Sequence, residues 1–284
     1  MSPFSGSQFG TVTRARWVVA TATLLILLSA ALASAHDMFV KPDRFFVAEN
    51  SETIIRVLNG TFSKSENSIA RSRILDLSVI GPNGRFRMDT SAWSAAGDTS
   101  TFRFRSGAAG TYVLGFSTRP NIIAMSADTF HMYLNEDGIP DELAARRRDG
   151  TANRPAKERY SKHVKAFVQV GETRSAAYAT ELGYPAELIP VSNPYSLKVG
   201  DALRVRTLVD GRPTANQYVQ YGGRTPSGGR IEQRNARSGS DGVVRIPVTA
   251  RGTWYVKFIN MRRLAGDTAA THESKWATMT FQVR

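Results

Sequence analysis

Short runs of strictly alternating residues limit this chain to a narrow class of folds. In Phe102-Arg103-Phe104-Arg105 aromatic and basic side chains alternate with a period of two. In Leu75-Asp76-Leu77-Ser78-Val79 the leucines and the valine share one face, and Tyr112, Leu114 and Phe116 share another with Gly115 opposite. Val164, Ala166, Val168 and Val170 repeat the pattern up to Gly171, and Leu203 and Val205 alternate with Arg204 and Arg206. A period of two over so few residues predicts half-buried antiparallel strands. Turn chemistry separates them. Gly81-Pro82-Asn83-Gly84 reads as a hairpin loop, Ala108-Ala109-Gly110 as a break, and Asp210-Gly211 and Asp241-Gly242 as turns. Strands at this spacing predict β-sandwiches.

One stretch departs from the pattern. Phe130, Met132 and Leu134 read as one face of a further strand, with His131 and Tyr133 on the other. After it, Pro140-Asp141-Glu142 opens a helix with proline and acids in its first turn, and Arg146-Arg147-Arg148 suits its C-terminal end. A short helical turn is expected over Pro155–Ser161, so a helical insertion lies near 139–161. Pro185, Pro190 and Pro194 mark 181–194 as a linker. The expected layout is an N-terminal sandwich over 36–185 and a C-terminal sandwich over 190–284. An internal echo supports two such units: Gly110-Thr111-Tyr112-Val113-Leu114-Gly115-Phe116 and Gly252-Thr253-Trp254-Tyr255-Val256-Lys257-Phe258 share Gly-Thr-aromatic and an apolar strand ending in Phe.

Residues 1–35 read as a secretory signal. Arg14 and Arg16 precede an apolar run from Trp17 to Leu32, and Ala33-Ser34-Ala35 fits the small-x-small cleavage rule. Cleavage there makes His36 the first residue of a periplasmic or secreted protein. Cleavage after Ala33 would start the chain at Ser34, and an uncleaved anchor is the third alternative. The chain has no cysteine. That excludes a disulfide framework, thiolate metal sites and cysteine nucleophiles, and leaves nitrogen and oxygen as metal donors. The net charge of +13 would ordinarily suggest nucleic acid. An exported chain with dispersed charge instead suits an anionic membrane or cell wall.

A terminal histidine offers two metal donors, the free α-amine and the imidazole Nδ1, which close a six-membered chelate ring. His36 would have this property. The other histidines are His131, His163 and His272. His163 lies between Lys162 and Lys165, a poor field for a cation, whereas His272 is followed by Glu273. The candidate metal ligands are therefore His36, Asp37, His131, His272 and Glu273, with His36 expected close to His131 or His272. Copper or nickel suits such a nitrogen-rich set. No nucleophile elbow, phosphate loop or dinucleotide fingerprint is present, so no enzymatic activity is expected.

Four stretches carry a resemblance: Ala35-His36-Asp37-Met38-Phe39; Tyr160-Ser161-Lys162-His163-Val164-Lys165-Ala166-Phe167-Val168-Gln169-Val170-Gly171; Glu187-Leu188-Ile189-Pro190-Val191-Ser192-Asn193-Pro194-Tyr195; and Trp276-Ala277-Thr278-Met279-Thr280-Phe281-Gln282-Val283. Through them the chain resembles exported, poorly characterised proteins encoded beside nickel and cobalt uptake systems. The resemblance implies a periplasmic accessory protein that binds nickel or cobalt and serves a membrane metal transporter. Members of that family often carry a histidine where this chain has Asn260-Met261. Asp210-Gly211-Arg212-Pro213 and Asp241-Gly242 make the C-terminal unit resemble transthyretin-like sandwiches. The fold expected is thus mainly β, two immunoglobulin-like or transthyretin-like sandwiches with a short helical insertion. Two other functions are weighed: a structural or adhesive envelope module without metal, and a copper-binding terminal-histidine protein.

Overall fold

The computed structural model describes residues 36–284, together with Met1. The expected export signal lies outside the described residues. Three sheets follow. The first has the order β1 (Asp37–Pro42), β3 (Glu52–Gly60), β7 (Thr99–Arg105) and β6 (Ser94–Ala96). The second has ten strands. Its path runs β15 (Arg230–Arg237), β14 (Tyr218–Arg224), β17 (Gly252–Arg263), β18 (His272–Val283), β10 (Ala156–Val170), β8 (Gly110–Thr118), β4 (Ile74–Gly81) and β5 (Gly84–Arg87). The short strands β2 (Phe46–Val47) and β9 (Asn121–Met125) also pair with β10. The third sheet joins β11 (Ala186–Pro190), β12 (Ala202–Val209) and β13 (Arg212–Pro213), with β16 (Val243–Pro247) on β12. The molecule is mainly β and sandwich-like, as the alternation predicts.

The ten-stranded sheet takes strands from both sides of residues 185–190. β10 runs parallel to β18, with Glu158 opposite His272 and Ala166 opposite Thr280. Residues 36–284 form one compact unit. The two smaller sheets cover opposite faces of the large one, because successive strand residues point to opposite sides. Val164, Ala166, Val168 and Val170 of β10 pack with Leu114, Phe116, Ile55, Val57, Phe102 and Phe104 under the first sheet. Phe167 enters the other core with Leu188, Leu203, Val205, Trp254, Val256 and Phe281 under the third sheet.

The internal echo has a structural counterpart. β8 flanks β10 and β17 flanks β18, giving the order β17-β18-β10-β8. In each echo the aromatic side chain returns to the carbonyl four residues upstream. Tyr112 Oη donates to Ala108 O at 2.8 Å, and Trp254 Nε1 donates to Ala250 O at 3.1 Å. This back-bond resembles the corner that tyrosines make in immunoglobulin-type sandwiches. Gly252 is required at its turn: its φ is 137°, and an added Cβ would lie 2.1 Å from Arg224 O.

Four local expectations are corrected. Ala127–Glu136 is a helix, α1, rather than a strand. Ser126 accepts a hydrogen bond from Thr129 N as its N-cap, and Phe130, Tyr133 and Leu134 fall on one buried stripe. Met132 is exposed. The helix expected from Pro140 is α2, Pro140–Arg148. Pro155–Ser161 is not helical, because β10 starts at Ala156 and is held there between β9 and β18. Ladder pairing on both sides overrides the helical preference of Ala-Lys-Glu-Arg. The linker around 181–194 contains β11, buried throughout, with Pro190 tolerated on an edge strand. Finally, a register shift between Ile74 and Asp76 takes Leu75 off the face of Leu77 and Val79 and leaves it exposed.

Where β11 crosses the large sheet, the interior holds an ion pair. Lys165 Nζ lies 2.7 Å from Glu187 Oε2, with both side chains almost fully buried. Leu182 N and Tyr184 N also donate to the Glu187 carboxylate. Burial pushes the Glu187 carboxyl up, but Lys165 and the two amides outweigh it and hold it below its ordinary value. Replacing Lys165 by Met leaves a buried carboxylate without its cation. Lys165→Met should cost about 3–5 kcal/mol in urea unfolding, and adding Glu187→Gln should recover part of that loss. Additive losses in the double variant would show that the pair is not coupled.

Candidate functional site

His36 and Asp37 lie where β1 meets the large sheet, and side chains of several other elements converge there. Thr278 of β18 donates through Oγ1 to Met38 O at 2.8 Å, and Thr280 does the same to Val40 O, so β1 is seated on β18. Lys162 of β10 donates its ammonium to His36 O and to Asn59 Oδ1 at 3.3 Å. The same ammonium stands 4.9 Å from the centroid of the Trp276 ring, within cation–π range. Lys257 of β17 forms an ion pair with Asp37 and lies 3.8 Å from Asp137 Oδ1. Asp137 is there because it closes α1, its backbone N–H bonded to Tyr133 O at 3.0 Å.

The cluster continues inward. Glu158 is fully buried and accepts from Tyr133 Oη at 2.8 Å and from Ser274 Oγ. Ser274 Oγ in turn accepts from Trp276 Nε1 at 2.9 Å. The Tyr133 and Trp276 rings stack with centroids 5.8 Å apart and a 7° interplanar angle. Three carboxylates, Asp37, Asp137 and Glu158, therefore share a largely dry region with two ammoniums. Asp37 Oδ1, Glu158 Oε2 and the neighbouring Gln220 Oε1 are buried acceptors without a hydrogen-bond partner. Burial first, and then the charge of Asp37, push the Asp137 carboxyl up to about 7. Burial pushes Lys162 down to about 8 and raises Glu158. Burial thus disfavours the charged forms of these acids and of this lysine relative to water.

The five sequence-predicted ligands are distributed as follows. His36 Nδ1 faces Glu66 Oε2 at 3.4 Å, with the His36 side chain 17% exposed. Asp37 is engaged by Lys257. His131 stands half-exposed on α1. His272 is buried, with Nδ1 2.8 Å from Thr271 Oγ1 and Nε2 3.3 Å from Glu142 Oε1. Glu273 points to the other side of β18 and pairs with Arg262 at 2.6 Å. The group beside the His36 ring is therefore Glu66 rather than a second histidine. His272 belongs to a separate network in which Glu142 binds Arg263 and Arg263 binds Asp149, fixing α2 to the β17–β18 hairpin. Among the described residues no three His, Asp or Glu side chains form a group able to hold a metal ion. His163 has both ring nitrogens engaged, by Ser117 Oγ at 2.8 Å and Ser161 Oγ at 3.0 Å, and burial pushes it down to about 4.

Sequence reasoning missed Glu66, Lys162, Lys257, Asp137 and Glu158 as members of one cluster. One signal was available: Lys257 interrupts the apolar run Trp254-Tyr255-Val256-Lys257-Phe258-Ile259, and a lysine placed so is buried and needs an acid.

The sign of the pH effect follows from Asp137. Between its ordinary 3.8 and about 7, the folded chain keeps a proton that the unfolded chain has lost, so stability falls as pH rises through that window. Asp137→Asn removes this dependence. The stability of the variant relative to the parent should therefore rise from pH 4 to 7 and level off above, read from urea midpoints. A difference independent of pH would place Asp137 outside the cluster.

Solved structures with some likeness are distant. A DUF4785 family protein from Legionella pneumophila is 11% identical, covering 77% of this chain and 50% of its own, with a TM-score of 0.23. A tetra-tandem repeat from the extending region of a large adhesion protein is 11% identical, with 87% and 50% covered and a TM-score of 0.23. E. coli alpha-2-macroglobulin is 11% identical, with 89% and 14% covered and a TM-score of 0.22. The chain thus spans half the length of the first two and a small part of the third. No curated protein matches. Among the described residues no helix is long and apolar enough to cross a membrane. The DUF4198 family, described as a domain of unknown function, matches residues 33–262, and the chain belongs to it.

Proposed function

We propose that this protein is an exported accessory component that holds a divalent transition metal, nickel or cobalt, at its processed N-terminus and passes it to a membrane uptake system. One observation carries the reading. The His36 ring faces the Glu66 carboxylate, while Lys162 holds the His36 carbonyl. Removal of the signal before His36 would add an α-amine to that pair. Amine, Nδ1 and carboxylate are three nitrogen and oxygen donors suited to nickel or cobalt. A partly exposed terminus also leaves coordination positions for water or for a receiving protein, as transfer requires. Asp37, neutralised by Lys257, would serve to anchor β1 rather than to bind metal.

The test is calorimetric titration of nickel and cobalt into a chain that begins at His36. It is compared with the same chain extended by one N-terminal glycine and with Glu66→Gln. Loss of the amine, or of the Glu66 charge, should weaken nickel binding on the order of tenfold or more. Equal binding by all three forms, or none by the first, would reject the terminal site and leave the metal-independent envelope module as the better reading.

A further inference from the structure

The outer face of the third sheet carries a charge arrangement that does nothing for folding. Arg204 of β12 stands directly opposite Arg245 of β16. Like charges in register across a ladder are destabilising. Both arginines are exposed, and neither is in an ion pair among the described residues. The row extends to Val191, whose N–H donates to Arg204 O at 2.9 Å, and Val191 is 45% exposed. The next row inward is Ile189, Arg206 and Val243. Its arginine reaches Glu181 at 3.6 Å. Neither row contains a carboxylate.

We propose that this face docks on an anionic lipid surface. Arginines without counter-charges attract anionic headgroups. Val191, exposed beside Arg204, adds apolar area that gains from the headgroup boundary and gains nothing from a soluble polyanion. The face lies on the opposite side of the ten-stranded sheet from the sheet that carries His36, so docking would leave the N-terminal end free. The inference is independent of metal binding.

Residues 36–284, the compact unit, are tested by co-sedimentation with vesicles of phosphatidylglycerol and phosphatidylcholine, and with phosphatidylcholine alone. Binding should require phosphatidylglycerol and weaken as salt is raised. The double variant Arg204→Glu, Arg245→Glu should lower it roughly tenfold or more. Val191→Ser should lower vesicle binding but not binding to soluble polyphosphate. Thermal melting of each variant checks that the fold is kept. Vesicle binding unchanged by the charge reversal, absent in the parent, or lost equally from polyphosphate in the valine variant would each overturn the proposal.

Discussion

The parallel ladder between β10 and β18 holds the rest of the molecule in place. It aligns residues 158–166 with 272–280, joining strands more than a hundred positions apart. A ladder between such distant segments forms only when both halves supply their last strands, so the large sheet and both covering cores depend on it. It also brings the Lys162 ammonium over the Trp276 ring and Glu158 beside Ser274. Without this register the charges around Asp37 would have no common interior.

The second consequence is a division of polar residues between the two faces of β10. On one face Glu158 and Lys162 meet α1 and β1; on the other Lys165 meets Glu187, and His163 is held neutral between two serines. Buried charges of this kind are costly unless paired. Here most are paired, and two carboxylate oxygens left without a hydrogen bond, Asp37 Oδ1 and Glu158 Oε2, lie in the cluster adjoining the N-terminal segment. The polar side chains of β10 thus tie each covering layer to the large sheet, one at the site and one away from it.

Much of the fold was legible in the sequence. Period-two alternation found β7, β8, the second half of β10 and β12, and the glycine-threonine-aromatic echo marked two strands that occupy matching places and make matching back-bonds. What failed did so for physical reasons. The six-residue run from Thr129 to Leu134 suits either period, and only the Ser126 cap and the buried side of α1 decide for a helix. Ala156–Tyr160 looks helical locally and becomes a strand because neighbours on both sides complete its ladder. The site was legible only at its first residues. Glu66, Asp137, Lys162 and Lys257 come from four distant segments, and no spacing rule links them. His272 looked suitable because an acid follows it, but a strand sends successive side chains to opposite faces, and its actual carboxylate is Glu142.

On the reading proposed above, metal would be captured at one end of β1, where His36 and Glu66 face each other, and not at His131 or His272. The most direct measurement is a crystal structure of the chain beginning at His36, grown with nickel and recorded at the nickel absorption edge. The account predicts one strong anomalous peak within bonding distance of His36 Nδ1, the terminal nitrogen and a Glu66 oxygen. A peak at His131 or between His272 and Glu142, or no bound nickel at His36, would contradict it.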